Sequence, residues 1–382
     1  MLNNFNKLRK YCENENFQGW DPYDGLNSTL FQKIVPNSRL TRLIWIQLFK
    51  RNPINLRKIC GVKKQYNPKG IALFISSYCN LYKLNQEDEL LNKINSLCSL
   101  LLDMSVKGYS GACWGYNFDW QSRAFFLPKY TPNIVTTSFA VNALLDAYEV
   151  TKNNQYLKAS ISSADFVTKD INRFSKEEGF IFSYSPLDNT RVYNASLLGS
   201  RLLSRVYHHN KNKYLLDMAK ESVLACSNEQ MSDGSWRYGE LDIQNWVDSF
   251  HTGYNLECLY EYQKYSNDYS FEEVINKGLS YYKNNFIRID GAPKYYSDNI
   301  YPIDMHCPAQ FIVTMSKTNH FKKNKNQIDK MLNWVFDNMF DHKNGYFYFQ
   351  KKKYHTNKIP YIRWTQAWMF YSLTHYLINA ND

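Results

Sequence analysis

The sequence contains no long apolar run and no closely spaced cysteine pair. Its longest apolar stretch near the start, residues 43–49, is interrupted by Gln47 and is far shorter than the roughly 20 residues that a membrane-spanning helix needs. The first 17 residues also lack the apolar core of a secretory signal. The eight cysteines are scattered without a CxxC pair, so we expect reduced thiols that are mostly buried. These absences predict a cytoplasmic protein with no transmembrane segment.

Aromatic content and positive charge distinguish the composition. The 382 residues are 44% hydrophobic and 21% charged, and 31 Tyr, 23 Phe and 9 Trp give an aromatic fraction of 16%. Tyrosine suits half-exposed surfaces that need both a ring face and a hydroxyl. The formal net charge of +11 favours an acidic partner, such as a nucleic acid, an anionic membrane or a uronic-acid polymer. Because the basic residues are dispersed, with notable clusters only at 321–325 and 351–353, we expect no nucleic-acid partner.

A recurring turn divides the chain into similar parts. A glycine followed by aromatic residues occurs five times, at intervals of 68, 55, 57 and 54 residues. Each turn follows an amphipathic segment and precedes a nearly apolar one, both with helical spacing. The glycines are Gly111, Gly179, Gly234, Gly291 and Gly345. A period of this length is typical of stacked helical hairpins.

Six apolar and six amphipathic segments predict twelve helices, with the apolar set buried inside the amphipathic set. Because six hairpins use nearly the whole chain and leave no polar capping repeats, we predict an all-α fold. It is a closed (α/α)6 toroid forming a single domain over residues 1–382, with residues 1–35 as an N-terminal extension packed on it. An open helical-repeat scaffold is the alternative. The predicted outer helices are 37–50, 87–106, 154–172, 212–229, 270–287 and 325–340, and the inner ones are 67–82, 136–148, 193–207, 249–262, 305–316 and 364–377.

All the glycine-aromatic loops should emerge on one rim of this ring, beside the N-termini of the inner helices. Loops that a rigid scaffold positions often carry binding residues, and helix N-termini favour anions. The richest loop covers residues 109–129, and a second cluster covers 236–251. The candidates on this rim are Trp114, Tyr116, Asp119, Trp120, Arg123, Asn194, Trp236, Tyr238, Trp246, Asp248, His251, Asp304, His306, Arg363 and Trp364.

Rings interleaved with charged groups favour a sugar ligand, since a pyranose has an apolar face and a belt of hydroxyls. Hydrolysis would need two carboxylates across the bond, and Asp119, Glu240, Asp248 and Asp304 are available. Proton abstraction beside a uronate carboxylate would need His or Tyr to move the proton and a cation to offset the enolate charge. We favour proton transfer over hydrolysis, on an acidic or amino-sugar glycan or glycoconjugate.

The predicted roles follow from the chemistry of each side chain. His251 and Tyr238 would transfer protons, Arg123 would neutralise a substrate carboxylate, and Asp248 would orient His251 or act as an acid. The remaining catalytic candidates are Asp119 and His306. The expected substrate contacts are Trp114, Tyr116, Trp120, Asn194, Trp236, Trp246, Asp304, Arg363 and Trp364.

Two segments carry a resemblance to a known family. Residues 246–262 (WVDSFHTGYNLECLYEY) and 136–157 (TTSFAVNALLDAYEVTKNNQYL) resemble parts of the C-terminal helical domain of D-glucuronyl C5-epimerases. The sixfold pattern over residues 36–380 is similar to six-hairpin glycosidase and epimerase or lyase toroids, and the whole is similar to proteins of bacterial surface-polysaccharide assembly. The resemblance implies a uronate cleft lined by Trp246, His251, Thr252 and Asn255.

Three alternatives stay open. Residues 230–236 (QMSDGSW) fit the QxxDGSW signature of terpene cyclases, but that motif mainly ties helices together, and the chain has no DD or DxD for a diphosphate site. Zinc could be held by Cys113, Asp304, His306 and Cys307, although no cofactor is expected. A non-catalytic glycan-binding ring would keep the aromatic surface and would tolerate the loss of His251.

Overall fold

A computed structural model describes residues 1–381, in which helices dominate. The helices are α1 (Leu2–Asn14), α2 (Thr29–Ile34), α3 (Arg39–Arg51), α4 (Pro68–Asn85), α5 (Asp88–Asp103), α6 (Ile134–Thr151), α7 (Asn154–Asp165), α8 (Tyr193–Asn210), α9 (Lys213–Ser227), α10 (Ser249–Ser266), α11 (Glu272–Asn285), α12 (His306–Lys317), α13 (Lys325–Met339) and α14 (Ala367–Asn381). The strands are β1 (Trp120–Gln121), β2 (Phe126–Leu127), β3 (Arg173–Ser175), β4 (Phe180–Phe182), β5 (Ile303–Asp304), β6 (Phe340–Asp341), β7 (Tyr346–Phe347), β8 (Gln350–Lys351) and β9 (Thr356–Asn357).

Six helices form a closed inner ring. In the order α4, α6, α8, α10, α12 and α14, each helix contacts the next, and α14 contacts α4. These helices are largely buried, as their nearly apolar sequences require; in α6 every residue from 134 to 145 is buried. The closed set of contacts confirms the predicted all-α toroid.

Polar caps define where the inner helices begin. The side chains of Asn67, Asn133 and Asp248 accept hydrogen bonds from amides in the first turns of α4, α6 and α10, which satisfies donors that the helix itself cannot pair. Since the caps all lie at the same end of the ring, they form part of one rim. We call this end the N-terminal rim.

The outer ring contains α1, α5, α7, α9, α11 and α13, and it differs from the prediction at one place. There α1 lies between α13 and α5: Lys7 Nζ donates to the His342 carbonyl oxygen at 2.9 Å, and the Arg9 guanidinium lies 3.7 Å from the Glu89 carboxylate. Residues 37–50, predicted as an outer helix, do form a helix, α3, but it lies outside the outer ring. Helix α1, which falls in the predicted N-terminal extension, takes that place. With only three buried apolar residues, α1 has a small apolar face.

Residues 15–67 form a long excursion between the first outer helix and the first inner helix. It contains a 3₁₀ turn at Asp24–Asn27, α2 and α3, and α3 packs against that turn and β1. Arg57 anchors the excursion, because its guanidinium donates to the Asp24 carboxylate and to the Asp21 carbonyl oxygen, each at 2.7 Å. The excursion thereby places α3 over the N-terminal rim.

The strands form small antiparallel ribbons in the connections that lead from an outer helix to an inner helix. The pairs are β1 with β2, β3 with β4 and β6 with β7, and β8 lies between β5 and β9. Strands are thus short and confined to loops, as predicted. Within residues 1–381, no helix has the length and apolar character needed to cross a bilayer.

Substitution of Gly345 tests the position of α1. Gly345 has a φ of 77°, and a Cβ there would lie 2.7 Å from the Lys7 carbonyl oxygen; Gly108 has a φ of 91° and no atom within 4 Å of such a Cβ. We expect Gly108→Ala to cost about 1–2 kcal/mol from backbone strain, and Gly345→Ala to cost a further ~1–3 kcal/mol from the clash. Urea denaturation measures both losses. Equal losses would contradict the contact with α1.

Candidate functional site

A cavity of about 610 Å³ opens at the N-terminal rim. Its walls are the first turns of the inner helices, the loops that precede them, and the face of α3 that carries Leu43 and Lys50. Fourteen aromatic side chains contribute to the lining. A cavity of this size and character can enclose a small ligand and fix it with a few polar groups.

His251 lies in the first turn of α10, where Asp248 fixes its ring. The Asp248 carboxylate accepts a hydrogen bond from the His251 amide at 2.9 Å and lies 2.6 Å from His251 Nδ1. Trp246 Nε1 donates to the same carboxylate at 2.9 Å. Because a carboxylate accepts, Nδ1 carries the proton of the neutral imidazole and Nε2 is left to accept one. The Asp248 side chain is fully buried, whereas that of His251 is 19% exposed.

His306 begins α12 and belongs to a second hydrogen-bonded chain. Lys69 Nζ donates to the Tyr254 hydroxyl at 3.0 Å, and that hydroxyl lies 2.7 Å from His306 Nε2. With Lys69 donating, the Tyr254 hydroxyl donates to Nε2, so the His306 proton resides on Nδ1. Among the described residues, His306 Nδ1 has no hydrogen-bond partner although it is buried. The ring of His306 borders the cavity, and Nδ1 retains an unused hydrogen-bonding capacity.

Burial controls the protonation states of His306, Lys69 and Tyr254. Burial, together with the positive charges of Lys69, Arg363 and His251, holds the pKa of His306 well below its usual range. Burial and the charge of Arg363 likewise lower the pKa of Lys69, and burial raises the pKa of the Tyr254 hydroxyl. His306 and Tyr254 are consequently uncharged at neutral pH. An anion in the cavity would favour the protonated forms of His306 and Lys69.

Arg363 connects the last inner helix with the excursion. Its Nε and one terminal nitrogen donate to the two carboxylate oxygens of Asp21, at 2.5 and 2.8 Å. Both side chains are buried, and Arg363 also borders the cavity. The two-point contact fixes the guanidinium plane and offsets much of its charge.

A stack of rings lies beside His251. Tyr238 and Trp246 have centroids 4.5 Å apart and planes inclined by 12°, and the Tyr238 centroid lies 4.5 Å from that of His251. The Arg123 guanidinium lies 5.6 Å from the Trp246 ring. Burial raises the pKa of Tyr238, so its hydroxyl stays protonated. The stack offers an apolar face next to an imidazole and a cation.

The charged residues that line the cavity are all basic. The described lining includes no Asp or Glu, and of its lysines and arginines only Arg363 forms an ion pair with a described carboxylate. Burial and the charges of Arg51 and Lys50 lower the pKa of Lys352. The six basic residues are Lys50, Arg51, Lys69, Arg123, Lys352 and Arg363. They produce a field that attracts anions.

The structure brings together most of the residues predicted from the sequence. Asp248 lies directly behind His251. The predicted residues that line the cavity are Tyr116, Trp120, Arg123, Asn194, Tyr238, Trp246, His251, His306, Arg363 and Trp364. Because they come from five hairpins, only ring closure brings them to one place.

Trp114, Trp236 and Asn255, which were predicted to contact substrate, lie outside the cavity lining. Trp114 Nε1 donates to the Leu101 carbonyl oxygen at 2.7 Å, and Trp236 Nε1 donates to that of Cys226 at 3.0 Å. Each indole thus fastens a glycine turn to the end of the preceding outer helix. All three side chains are buried outside the cavity lining, with at most 2% exposure.

The predicted acids Asp119, Glu240 and Asp304 also lie outside the cavity lining. Asp119 accepts a hydrogen bond from the Lys129 amide at 2.7 Å, and Glu240 forms ion pairs with Lys176 and Arg191. The carboxylate of Asp304 accepts from the His306 amide and from the Trp364 indole. Burial raises the pKa of Asp304 to about 6. Asp304 therefore positions two residues of the site without contacting its interior.

The residues weighed as zinc ligands do not form a cluster. Cys113 Sγ lies 3.8 Å from the Val106 carbonyl oxygen within its own loop, and Cys307 is buried. In the part of the chain that the structure describes, no group of three or more His, Cys, Asp or Glu side chains could hold a metal ion.

The QMSDGSW segment has a structural role, as predicted. Gln230 Nε2 donates to the Gly234 carbonyl oxygen at 3.1 Å and to that of Val274 in α11 at 2.9 Å. These bonds connect the turn that follows α9 with the next outer helix.

Lys69 and Tyr254 are site residues that the sequence analysis missed. Lys69 lies in the first turn of α4, within a stretch (68–81) that is buried throughout, with its ammonium 4.1 Å from the Phe139 ring and 5.4 Å from the Trp368 ring. A lysine at the start of a buried inner helix was a signal that the sequence offered. Tyr254 follows His251 by three residues, which places both on one face of α10.

Comparisons with known proteins identify the fold. No protein-family model and no curated protein sequence matches this chain. Among solved structures, cellobiose 2-epimerase from Bacillus thermoamylovorans is similar with a TM-score of 0.64 at 12% identity, covering 82% of this chain and 90% of the epimerase. This chain shares the (α/α)6 toroid of such carbohydrate-active enzymes.

Two further structures extend the comparison. An unsaturated glucuronyl hydrolase specific for heparin is similar with a TM-score of 0.61 at 14% identity, covering 99% of this chain and 98% of the hydrolase. An α-mannanase from Bacteroides thetaiotaomicron gives a TM-score of 0.58 at 15% identity, with 82% and 87% covered. The same toroid therefore serves different reactions, so the fold does not determine which reaction this chain catalyses.

Proposed function

We propose that this protein is an enzyme that transfers protons at a carbon of a sugar, as an epimerase or a lyase. The observation that carries the proposal is the presence of His251 and His306 in a cavity whose described lining has no carboxylate. Hydrolysis by the common mechanisms needs two carboxylates beside the bond. The His251 imidazole, which Asp248 orients through Nδ1, can accept a proton at Nε2, and the hydrogen-bonded chain of His306, Tyr254 and Lys69 can return one.

The proposed substrate is an acidic or amino-sugar glycan or glycoconjugate. Unpaired cations in the lining favour a carboxylate, sulfate or phosphate group, and the Tyr238–Trp246 stack favours the apolar face of a pyranose. The resemblance of residues 246–262 to C5-epimerases supports a uronate. The proposed setting is the synthesis of bacterial surface polysaccharide in the cytoplasm.

In the proposed reaction, His251 Nε2 removes the proton from the ring carbon next to the substrate carboxylate. The electron pair of that C–H bond moves into the carboxylate to form an enediolate, whose added charge Arg123 stabilises. Epimerisation follows when the His306–Tyr254–Lys69 chain returns a proton to the opposite face. Elimination follows when the electron pair instead forms a C=C bond to the adjacent carbon and breaks that carbon's bond to the glycosidic oxygen, which takes a proton from the His306–Tyr254–Lys69 chain as it leaves.

Product analysis tests the proposed function. Uronate, amino-sugar and neutral oligosaccharides are incubated with the protein, and the products are analysed by NMR. We expect an epimer or an unsaturated sugar from an acidic or amino-sugar substrate. Saturated products with new reducing ends would indicate hydrolysis, and saturable binding without product would indicate a glycan-binding protein; either result overturns the proposal.

Replacing the carboxylate behind His251 tests its positioning role. In Asp248→Asn the amide can donate to Nδ1, so the imidazole proton moves to Nε2 and the base is lost. We expect kcat to fall by roughly 100-fold or more with KM changed little, whereas Asp298→Asn, at an exposed loop position, should retain full activity. Steady-state kinetics of both variants provide the comparison, and an unchanged kcat in Asp248→Asn would exclude this role.

A further inference from the structure

The whole excess of positive charge lies in one segment. Residues 25–86 contain 11 of the 46 lysines and arginines and none of the 35 aspartates and glutamates. The rest of the chain is therefore balanced, with 35 basic and 35 acidic residues. The prediction that the positive charge is dispersed was therefore wrong. Runs of adjacent lysines are few, but the absence of acidic residues concentrates the net charge in residues 25–86.

Helix α3, at the centre of this segment, exposes an aliphatic stripe. Leu40, Ile44 and Leu48 are 66%, 59% and 45% exposed, and their spacing of four residues places them on one face. Arg39 and Arg51, at the two ends of α3, are exposed as well. Leu30, Ile34, Ile54 and Ile59, in the flanking parts of the segment, are further exposed aliphatic residues. Single exposed apolar residues are ordinary, but a row of them on a helix marks an interaction surface.

The same helix lines the cavity with another face. Leu43, Ile46, Gln47 and Lys50 contribute to the lining, and the stripe lies on the adjacent side of the helix. A surface that covered the stripe would therefore lie beside the cavity.

We propose that the exposed face of α3 docks on an anionic membrane surface. Helices that lie in a membrane interface combine an aliphatic face with basic residues, and basic residues near an anionic leaflet add favourable energy that falls within a Debye length. The absence of acidic residues over 25–86 makes lipid headgroups a better match than a second copy of this positive face, which would repel it. This surface does not depend on the proposed reaction, but docking would hold the cavity next to a substrate carried by a membrane lipid.

Vesicle sedimentation tests this docking. The full chain is mixed with phosphatidylcholine vesicles or with vesicles that also contain phosphatidylglycerol. We expect binding only to the anionic vesicles, weakened by salt. The triple variant Leu40→Ser, Ile44→Ser, Leu48→Ser should lose at least tenfold in affinity, whereas the matched triple Leu187→Ser, Leu241→Ser, Ile289→Ser, at exposed positions elsewhere, should bind as the wild type does.

A second pair of variants tests the charge. Lys33→Glu, Lys58→Glu, Lys63→Glu together should weaken binding at least tenfold, and Lys158→Glu, Lys330→Glu, Lys343→Glu, exposed outside the segment, should have a much smaller effect. Equal binding to both vesicle types, no binding, or unchanged binding by the stripe variant overturns the proposal. So does a wild-type dimer that the stripe variant converts to a monomer, since the face would then join two copies. Circular dichroism verifies that each variant is folded.

Discussion

His251→Asn is expected to lower kcat by roughly 10²–10⁴-fold, the usual contribution of a positioned general base. The Asn side chain can still donate to the buried Asp248 carboxylate from about the position of Nδ1, but it places no basic atom where Nε2 stands. The variant thus retains a hydrogen bond to Asp248 in place of the 2.6 Å contact of Nδ1, but it lacks the proton acceptor Nε2. Initial rates on the substrate found by product analysis measure the loss.

The matched control for this variant is His208→Asn. His208 lies in the last turn of α8, at the end of the ring away from the cavity, and its loss should leave kcat within about twofold. If His251→Asn kept a tenth or more of the wild-type rate, His251 would not be the base. If both histidine variants lost activity equally, the loss would reflect folding.

Glu257→Ala is expected to have the largest effect on stability, a loss of about 3–5 kcal/mol. Glu257 lies inside the ring on α10 and accepts hydrogen bonds from Arg201 at 2.8 Å, Lys317 at 2.7 Å and Gln310 at 3.0 Å. Its removal leaves the two buried cations with one shared carboxylate in place of two, that of Glu261, which lies 3.5 Å from Arg201 Nε and 2.9 Å from Lys317 Nζ. Urea denaturation measures the loss, and Glu273→Ala, at an exposed position on α11, should change the free energy of unfolding by no more than about 0.5 kcal/mol.

The same substitution makes a prediction about pH. Burial raises the pKa of Glu257, but Lys317 and Arg201 more than offset this and hold it below the ordinary value of 4.5. A carboxyl whose pKa is lower in the folded state stabilises the fold above its unfolded value and loses that effect as the pH falls through the folded value. The difference between wild type and Glu257→Ala should therefore shrink below pH 4.5. A constant difference would contradict the ion pairs.

Sequence periodicity was enough to predict most of the fold. Nearly apolar helices such as α6 can only be stable when they are surrounded by protein, and five glycine turns at similar intervals define the hairpins. Helix α1 was missed because its buried face, Phe5, Leu8 and Cys12, is small, while α3 contains more apolar residues. Those residues belong to a helix that packs over the rim and leaves part of its apolar surface exposed.

The site was predictable where residue type and position in the hairpin agreed. His251 follows a capping Asp at the start of an inner helix, so its location and partner could both be expected. Trp114 and Trp236 follow the same glycine signal as the cavity rings, but their indoles point back to the outer helices and bind the Leu101 and Cys226 carbonyl oxygens. The direction of a side chain in a loop depends on contacts between hairpins, which no local pattern contains.

The hydrogen-bonded chain that includes His306 and the ion pair of Arg363 depend on such long-range contacts. The hydrogen bond between Lys69 and Tyr254 joins residues 185 positions apart, and the pair of Arg363 with Asp21 spans 342 positions. The first bond crosses the ring from α4 to α10, and the second forms because the last hairpin returns to the start of the chain. When the ring is assumed to close, the sequence alone could suggest Lys69 as a site residue, because it is a basic residue at the start of a buried inner helix.

Exchange with D₂O shows whether His251 removes a carbon-bound proton from the sugar. Substrate is incubated in D₂O with the wild type, with His251→Asn and with His208→Asn, and the sugar is examined by proton NMR and mass spectrometry. We expect loss of the signal of one carbon-bound proton, at the carbon next to the acidic group, in the wild type and His208→Asn but not in His251→Asn: an epimerised product carries deuterium there, and an eliminated product has a C=C bond. An epimerised product that carries no carbon-bound deuterium, a saturated cleaved product, or equal loss of the signal in all three proteins would contradict His251 as the base.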